Sequence, residues 1–358
     1  MEDHSRSLII TINNNVWWKQ ATRDLEQIPL FIIAPMVRAN HYFGINIIAF
    51  SKNGLIDGYK KKSEIIAFKD RFKVDFNMTV KMLKKANSFC DGRLHQDYDD
   101  KNELIRSAKE FALLVEEFCP AHLAPQLWDL CHDENDPEKK VLIKLNKKKI
   151  DLIRSFPIFQ KFVLLLRKFA SYVRIDESTL KKVLFYTLPD EFVKIVSEGK
   201  LPRDLRRVLD KRSKGFVMWI DNNRFLELNN LKDALLIEGL IKKNLEEELK
   251  IKNETEIVGT SSFKGFIRGR VRNIDKISGL HKVRKGEILV SSMVTPEYSV
   301  ILGKVAAVIV DESGLLSHVQ VLAREFKKPF IYDTKTASSI LRNGQIIEIK
   351  DNVIHLKN

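Results

Sequence analysis

A chain of 358 residues, 44% hydrophobic and 30% charged, is long enough for two or three domains with substantial cores. Its net charge of +14 suits an anionic ligand, an acidic partner or nucleic acid, while three cysteines argue against a disulfide framework. No apolar run reaches the roughly 20 residues that span a bilayer, so a cytoplasmic protein with no membrane contact is expected.

Taken in order, Leu30 to Val37 is apolar but short, contains Pro35 and follows Asp24 and Glu26, which is not a signal-peptide pattern. Ile45 to Phe50 and Leu55 to Tyr59 read as two short strands around the turn residues Asn53-Gly54. Asp100-Lys101-Asn102-Glu103 has the form of a capping box. Leu104, Ala108, Phe111, Ala112 and Val115 then make one apolar helix face, with Pro120 as its expected end. His132 to Lys140 is polar and reads as a loop. Phe159 to Tyr172, Glu177 to Tyr186, Asp190 to Ser197 and Arg203 to Lys211 read as helices, with Pro189 at a start and Gly199 at a stop. Asn253 to Ser262 is the expected linker, and short β-like runs follow it.

Cys131-His132 has no partners at metal-ligand spacing, so no metal site is expected. Lys147-Lys148-Lys149 reads as a solvated helix start before Ile150. With no zinc finger, RNA-recognition signature or aromatic-interleaved basic strand, the basicity reads as surface charge, and nucleic acid is not an expected partner.

The most informative segment runs from Val305 to Tyr332. A β-branched apolar run leads through Ser313-Gly314 to Ser317, an N-cap residue with Gln320 three positions on. Val319, Leu322, Ala323 and Phe326 then recur at helical spacing. His318 falls in the first turn, off that stripe. Backbone N–H groups at a helix start favour anions and disfavour imidazolium, so a histidine there is neutral, nucleophilic and able to hold a phosphoryl group.

These residues resemble the swivelling phosphohistidine domain of the phosphoenolpyruvate-utilising enzymes, whose pattern is roughly G-G-x-T-S-H-A-A-I-V-A-R-E-x-x-x-P. The chain matches it at Gly314, Ser317, His318, Ala323, Arg324, Glu325 and Pro329. Gly265 to Gly269 is similar to the family's first strand, Gly286-Glu287-Ile288-Leu289-Val290 to its G-D-I-L-V, Thr295-Pro296 to its T-x-P region, and Asn343 to Ile347 to its closing block. Ser313 stands for the first glycine. Leu316 stands for a threonine that is a regulatory phosphorylation site in some dikinases, and Val319-Gln320 for two small residues. A weaker likeness to the preceding region covers Leu188 to Phe192, Gly199, Arg212 and Gly215-Phe216, with Trp17, Trp18 and Arg23 ahead of Pro29; core and surface roles explain the same residues.

The resemblance implies an α+β multidomain chain. A mainly helical part over 1–252, with a small β-hairpin region and a subdivision near 75–140, leads through a linker at 253–262 to a β/β/α swivelling phosphohistidine domain over 263–358. It implies His318 as the nucleophile, with Ser317, Gly314, Thr295, Arg324 and Glu325 supporting it. The region before the linker shows no alternating strand–helix series and no Gly-rich phosphate loop, as an ATP-binding portion would. The expectation is therefore a phosphohistidine-carrying component of a split, dikinase-like phosphotransferase that depends on ATP or phosphoenolpyruvate. ATP and magnesium would sit on a separate ATP-grasp-type subunit, no cofactor on this chain, and the phosphoryl acceptor would be an unidentified small molecule. A non-catalytic interaction module of the same fold, and a basic nucleic-acid-binding protein, are the competing readings.

Overall fold

The computed structural model describes the chain apart from residues 1, 14, 16, 26–27, 53, 133–135, 222–223, 252–255, 262–263, 275, 312–325, 327 and 357–358. In chain order the first elements are α1 (Glu2–Asn13), β1 (Trp17–Asp24), α2 (Leu30–Ala39), β2 (Ile47–Lys52), β3 (Leu55–Lys61), α3 (Lys62–Arg71), α4 (Phe76–Leu94) and α5 (Lys101–Cys131). Next come α6 (Pro137–Ser155), α7 (Ile158–Ala170), α8 (Glu177–Tyr186), α9 (Pro189–Glu198), α10 (Arg203–Arg212), β4 (Gly215–Asp221), β5 (Arg224–Leu228) and α11 (Leu231–Ile251). The last part holds β6 (Glu256–Val258), β7 (Thr260–Ser261), β8 (Phe266–Asn273), β9 (Ile288–Ser291), α12 (Ser299–Leu302), β10 (Ala307–Val310), β11 (Phe330–Tyr332), α13 (Ala337–Ile340), β12 (Ile346–Lys350) and β13 (Val353–Leu356). The chain is α+β, with a mainly helical N-terminal part and a β/β/α C-terminal part. None of the described helices is long and apolar enough to cross a membrane.

The residues divide into two compact units. One comprises 23–56 and 64–235; the other comprises 1–22, 57–63 and 236–358. The division therefore falls inside α11 rather than at 253–262.

The helical unit is organised around α2, whose apolar run is buried almost throughout. Phe31 stacks on Phe111 of α5 at 5.1 Å between ring centroids and meets Phe192 of α9 edge-on at 5.4 Å. Asp100 caps α5 by accepting from the Asn102 backbone N–H at 2.9 Å. The Glu103 carboxylate turns instead to the Gln96 side chain, so the full box is not formed.

The helix does not end at Pro120. It continues to Cys131 with Pro120 and Pro125 inside it. An interior proline costs about 3 kcal/mol, but Leu123, Ala124, Leu127 and Trp128 beyond it are buried, and that packing offsets the loss.

The expected loop over 132–140 is also shorter than its polarity suggests. Asp136 caps α6 through the Glu138 N–H, and Pro137 opens the helix. Lys139 is buried against Asp129 at 2.8 Å, so a residue read as part of a polar loop belongs to the interior. The four helices α7 to α10 lie close to their expected spans, and Gly199 ends α9 in the left-handed region at φ 68°.

Arg212, on α10, is buried, and its five N–H donors are matched. Nη1 donates to Glu191 Oε2 at 2.6 Å and to Tyr186 O at 2.8 Å. Nη2 donates to Glu191 Oε1 and Glu227 Oε1, and Nε to Asn229 Oδ1, each at 3.0 Å. Arg212 thus joins the Leu188–Phe192 block through Glu191, and one buried guanidinium ties α8, α9 and β5 to α10.

The other unit contains an eight-stranded sheet in the order β6-β13-β12-β8-β9-β10-β11-β7. β8, β9, β10 and β11 run parallel, which explains why β9 and β10 read as unbroken apolar runs: both faces are covered. Leu289, Val308, Val310 and Phe330 face one core with Leu280, Val294, Tyr298 and Leu302. Ile288, Val290, Ala307, Ile309 and Ile331 face the other with Ala337, Leu341, Ile347 and Ile354. Glu287 holds β8 to β9 by accepting from Arg272 Nε at 3.0 Å and Nη2 at 2.8 Å.

The expected linker contains two of these strands. β6 pairs antiparallel with β13, and β7 with β11. Strands of three and two residues are too short to show an alternating pattern, so polar edge strands read as a tether. Gly259, between them, is a packing position rather than a free hinge. A Cβ there would lie 2.7 Å from Ile331 Cγ2, 2.7 Å from Tyr332 O and 2.8 Å from Thr334 Cγ2. Gly259→Ala is expected to cost about 1–3 kcal/mol, read as a lower thermal midpoint. An unchanged midpoint would mean that the edge pairing is dispensable.

Candidate functional site

The parallel register sets where the site lies. Val310 is level with Ser291, and Val308 with Phe330, so the carboxyl ends of β9, β10 and β11 share one edge of the sheet. In open parallel sheets that edge is the usual position for ligands. Thr295 follows β9, Asp311 follows β10, and the loop from Asp333 to Thr336 follows β11. The connection from β10 to β11 departs here. Of the expected site residues, Gly314, Ser317, His318, Arg324 and Glu325 lie outside the described residues, and Thr295 lies within them. Phe326, past the segment, packs onto the core face formed by Val308, Val310 and Phe330.

Thr295 is half-buried, and its hydroxyl is buried with no hydrogen-bond partner among the described residues. Its carbonyl accepts from the Tyr298 N–H at 3.0 Å, which starts the 3₁₀ turn Pro296–Tyr298. The Ser291 hydroxyl donates to Met293 O at 2.7 Å, and the Tyr298 hydroxyl donates to Ile274 O at 3.3 Å. The backbone beside Thr295 is thus held from two sides.

Asp311, at the end of β10, is buried. Its carboxylate accepts from the Thr334 hydroxyl at 2.8 Å, from the Ser338 N–H at 3.1 and 3.2 Å, and from the Ser338 hydroxyl. The Thr334 and Lys335 N–H groups also return to Val310 O and Asp311 O, each at 3.3 Å. This clasp requires an unusual backbone: Asp333 and Lys335 are non-glycine residues at φ 61° and 65°. Such residues cost of order 1–3 kcal/mol each and persist where the surroundings over-determine them; here the hydrogen bonds to Asp311 do so.

Burial pushes the Asp311 carboxyl above its ordinary value, against the pull of Lys19, Ser338 and Thr334. The folded state therefore holds this proton more tightly than the unfolded state. The associated stability is present below the unfolded value and is lost as pH rises from there through the raised folded value. Denaturant unfolding across that window should show this decline, and Asp311→Asn should remove it. An identical slope in the variant would assign the dependence to other groups.

Behind the clasp lie residues from the start of the chain that belong to the same unit. Lys19 Nζ donates to Ser338 Oγ at 3.0 Å and pairs with Asp57 Oδ1 at 3.2 Å. The Tyr59 hydroxyl lies 3.1 Å from Ser339 Oγ. Burial raises the Tyr59 phenol, so it stays protonated. Sequence reasoning missed Asp311, Ser338 and Lys19. An acid straight after the run Ala307–Val310 was a readable signal for the first; its partners, far away in sequence, left none.

Comparison with known proteins places residues 283–351 in a match to the family described as PEP-utilising enzyme, mobile domain. That span takes in Thr295, Asp311, His318 and Ser338. A 97-residue stretch is 36% identical to chondramide synthase of Chondromyces crocatus, covering 27% of this chain and 2% of that one. Over 110 residues the chain is 32% identical to the "Probable phosphoenolpyruvate synthase" of Archaeoglobus fulgidus, covering 30% of this chain and 15% of the relative. Over 119 residues it is 33% identical to the "Uncharacterized phosphotransferase YvkC" of Bacillus subtilis, covering 33% and 14%. The chain thus spans a small part of each relative's length.

Proposed function

We propose, from the match of residues 283–351 to the mobile domain of the PEP-utilising enzymes, that this chain is the phosphohistidine-carrying component of a phosphotransferase. The observation that carries the reading is that the match encloses Ser317-His318 in a segment leaving the carboxyl edge of a parallel sheet. In this reading an imidazole nitrogen of His318 attacks the phosphorus of a donor. A P–N bond forms, the donor's P–O bond breaks with its electron pair going to the leaving oxygen, and the ring sheds one proton. The same bond then breaks towards an acceptor. Ser317, Gly314 and Thr295 support the phosphoryl group, while Arg324 and Glu325 support the surrounding structure.

The donor is a separate ATP-grasp-type subunit holding ATP and magnesium, and the acceptor is a small molecule. The test is incubation with candidate ATP-grasp subunits and labelled ATP, followed by mapping of acid-labile phosphate. Label at His318 supports the carrier reading. Absence of label with every partner that phosphorylates a known mobile domain in parallel would overturn it. Arg324→Ala should leave measurable labelling of His318 and reduce stability or partner docking; complete loss of label in a folded variant would give Arg324 a direct part in the transfer.

A further inference from the structure

We propose that Lys19 is a positioning residue for the phosphoryl-accepting segment, acting through Ser338 and Asp311; the inference rests on the carrier reading above. The argument begins with proton counting. A lysine ammonium donates and cannot accept, and a serine hydroxyl has one proton. Ser338 Oγ accepts from Lys19 Nζ at 3.0 Å, so its own proton is committed to the Asp311 carboxylate. The direction of this relay is therefore fixed: Lys19 to Ser338 to Asp311.

Asp311 collects three donors, the Ser338 N–H, the Ser338 hydroxyl and the Thr334 hydroxyl. That set suits an anion. A buried anion needs a compensating charge, and Lys19, 4% exposed at its side chain, stands one hydroxyl away.

Asp311 is also the last described residue before the segment bearing His318. Its backbone is tied to β9 through Ser291 O and to the loop after β11 through the Lys335 N–H, each at 3.3 Å. Holding the carboxylate fixes the end of β10, from which the chain continues towards His318. Reactivity depends steeply on such placement, since a shift of about 1 Å can cost on the order of a hundredfold in rate. In this inference Lys19 acts through Ser338 and Asp311, and its part is to hold the clasp.

The test uses phosphoramidate, a small phosphoryl donor that needs no partner protein, on the full chain. Attack by imidazole forms the new P–N bond, and ammonia leaves after the donor's P–N bond breaks and takes up a proton. Labelling of His318 is taken as the difference between the natural chain and His318→Asn. Lys19→Met should slow it about tenfold or more, and Lys19→Arg should restore a large part of the rate. Tyr59→Phe removes the neighbouring contact to Ser339 and leaves the hydrogen bonds from Lys19 to Ser338 and from Ser338 to Asp311 in place, and should label at the normal rate.

Circular dichroism and thermal midpoints accompany every variant. Should Lys19→Met fail to fold, the charge-balanced double variant Lys19→Met, Asp311→Asn takes its place, with the same slowing expected. Labelling of a folded Lys19→Met or double variant at the natural rate would overturn the positioning role and leave the carrier reading standing. So would a Tyr59→Phe variant slowed as much as Lys19→Met, since the effect would then follow general stability. A natural chain in which His318 takes no label would overturn the carrier reading and this inference together.

Discussion

Replacing His318 by alanine is expected to abolish phosphoryl transfer, a loss of several orders of magnitude, as removal of a covalent nucleophile produces elsewhere. His318→Asn should behave alike, since it fills similar space without a nucleophilic ring nitrogen. Both variants should keep nearly normal stability, because the sequence places His318 outside the stripe of Val319, Leu322, Ala323 and Phe326. The measurement pairs transfer of labelled phosphate from the partner subunit with the thermal midpoint of each variant. Transfer at the normal rate in either variant would remove the carrier reading. Loss of folding in both would identify a core histidine and favour the interaction-module reading.

The second large effect is expected at Arg212, far from any reacting group. Arg212→Met keeps bulk in the interior but leaves Glu191 and Glu227 facing each other without the cation that both contact. Removing one member of a buried ionic cluster costs about 3–5 kcal/mol. The two carboxylates are 20% and 28% exposed, which places this case near the lower end. At about 2–4 °C per kcal/mol for a domain of this size, the midpoint should fall by roughly 6–12 °C. Arg212→Lys should recover little, because a point-like ammonium cannot reproduce a fork that reaches Tyr186, Glu191, Glu227 and Asn229. A change in midpoint of a degree or less would show that the cluster is neutral overall. Transfer by the surviving folded molecules should be unaffected.

Which parts of the fold could be read from the chain follows from the range of the interactions that build them. Helices α7 to α10 depend on signals a few residues apart, such as Pro189 and Gly199, and those signals were sufficient. Strands β9 and β10 were legible because a strand covered on both faces is written as a continuous apolar run.

The misplaced boundaries have the opposite character. Pro120 stops a helix locally, and it is packing from Leu123 to Trp128 that carries α5 onward. β6 and β7 exist because β13 and β11 accept them as neighbours, and nothing within three residues announces that. The candidate site divides in the same way. His318 and Thr295 stand out through local pattern and family blocks, whereas Asp311 takes its significance from Lys19, Thr334 and Ser338, which converge through the fold.

The division of the chain has a mechanical consequence. The backbone passes between the two compact units at 22/23, 56/57, 63/64 and 235/236. A body held by one passage of chain is freed by one cut, whereas a body sewn on at several stitches is not. A protease that nicks any one crossing leaves the others intact, so the nicked product should travel as a single particle in gel filtration and separate only on denaturation.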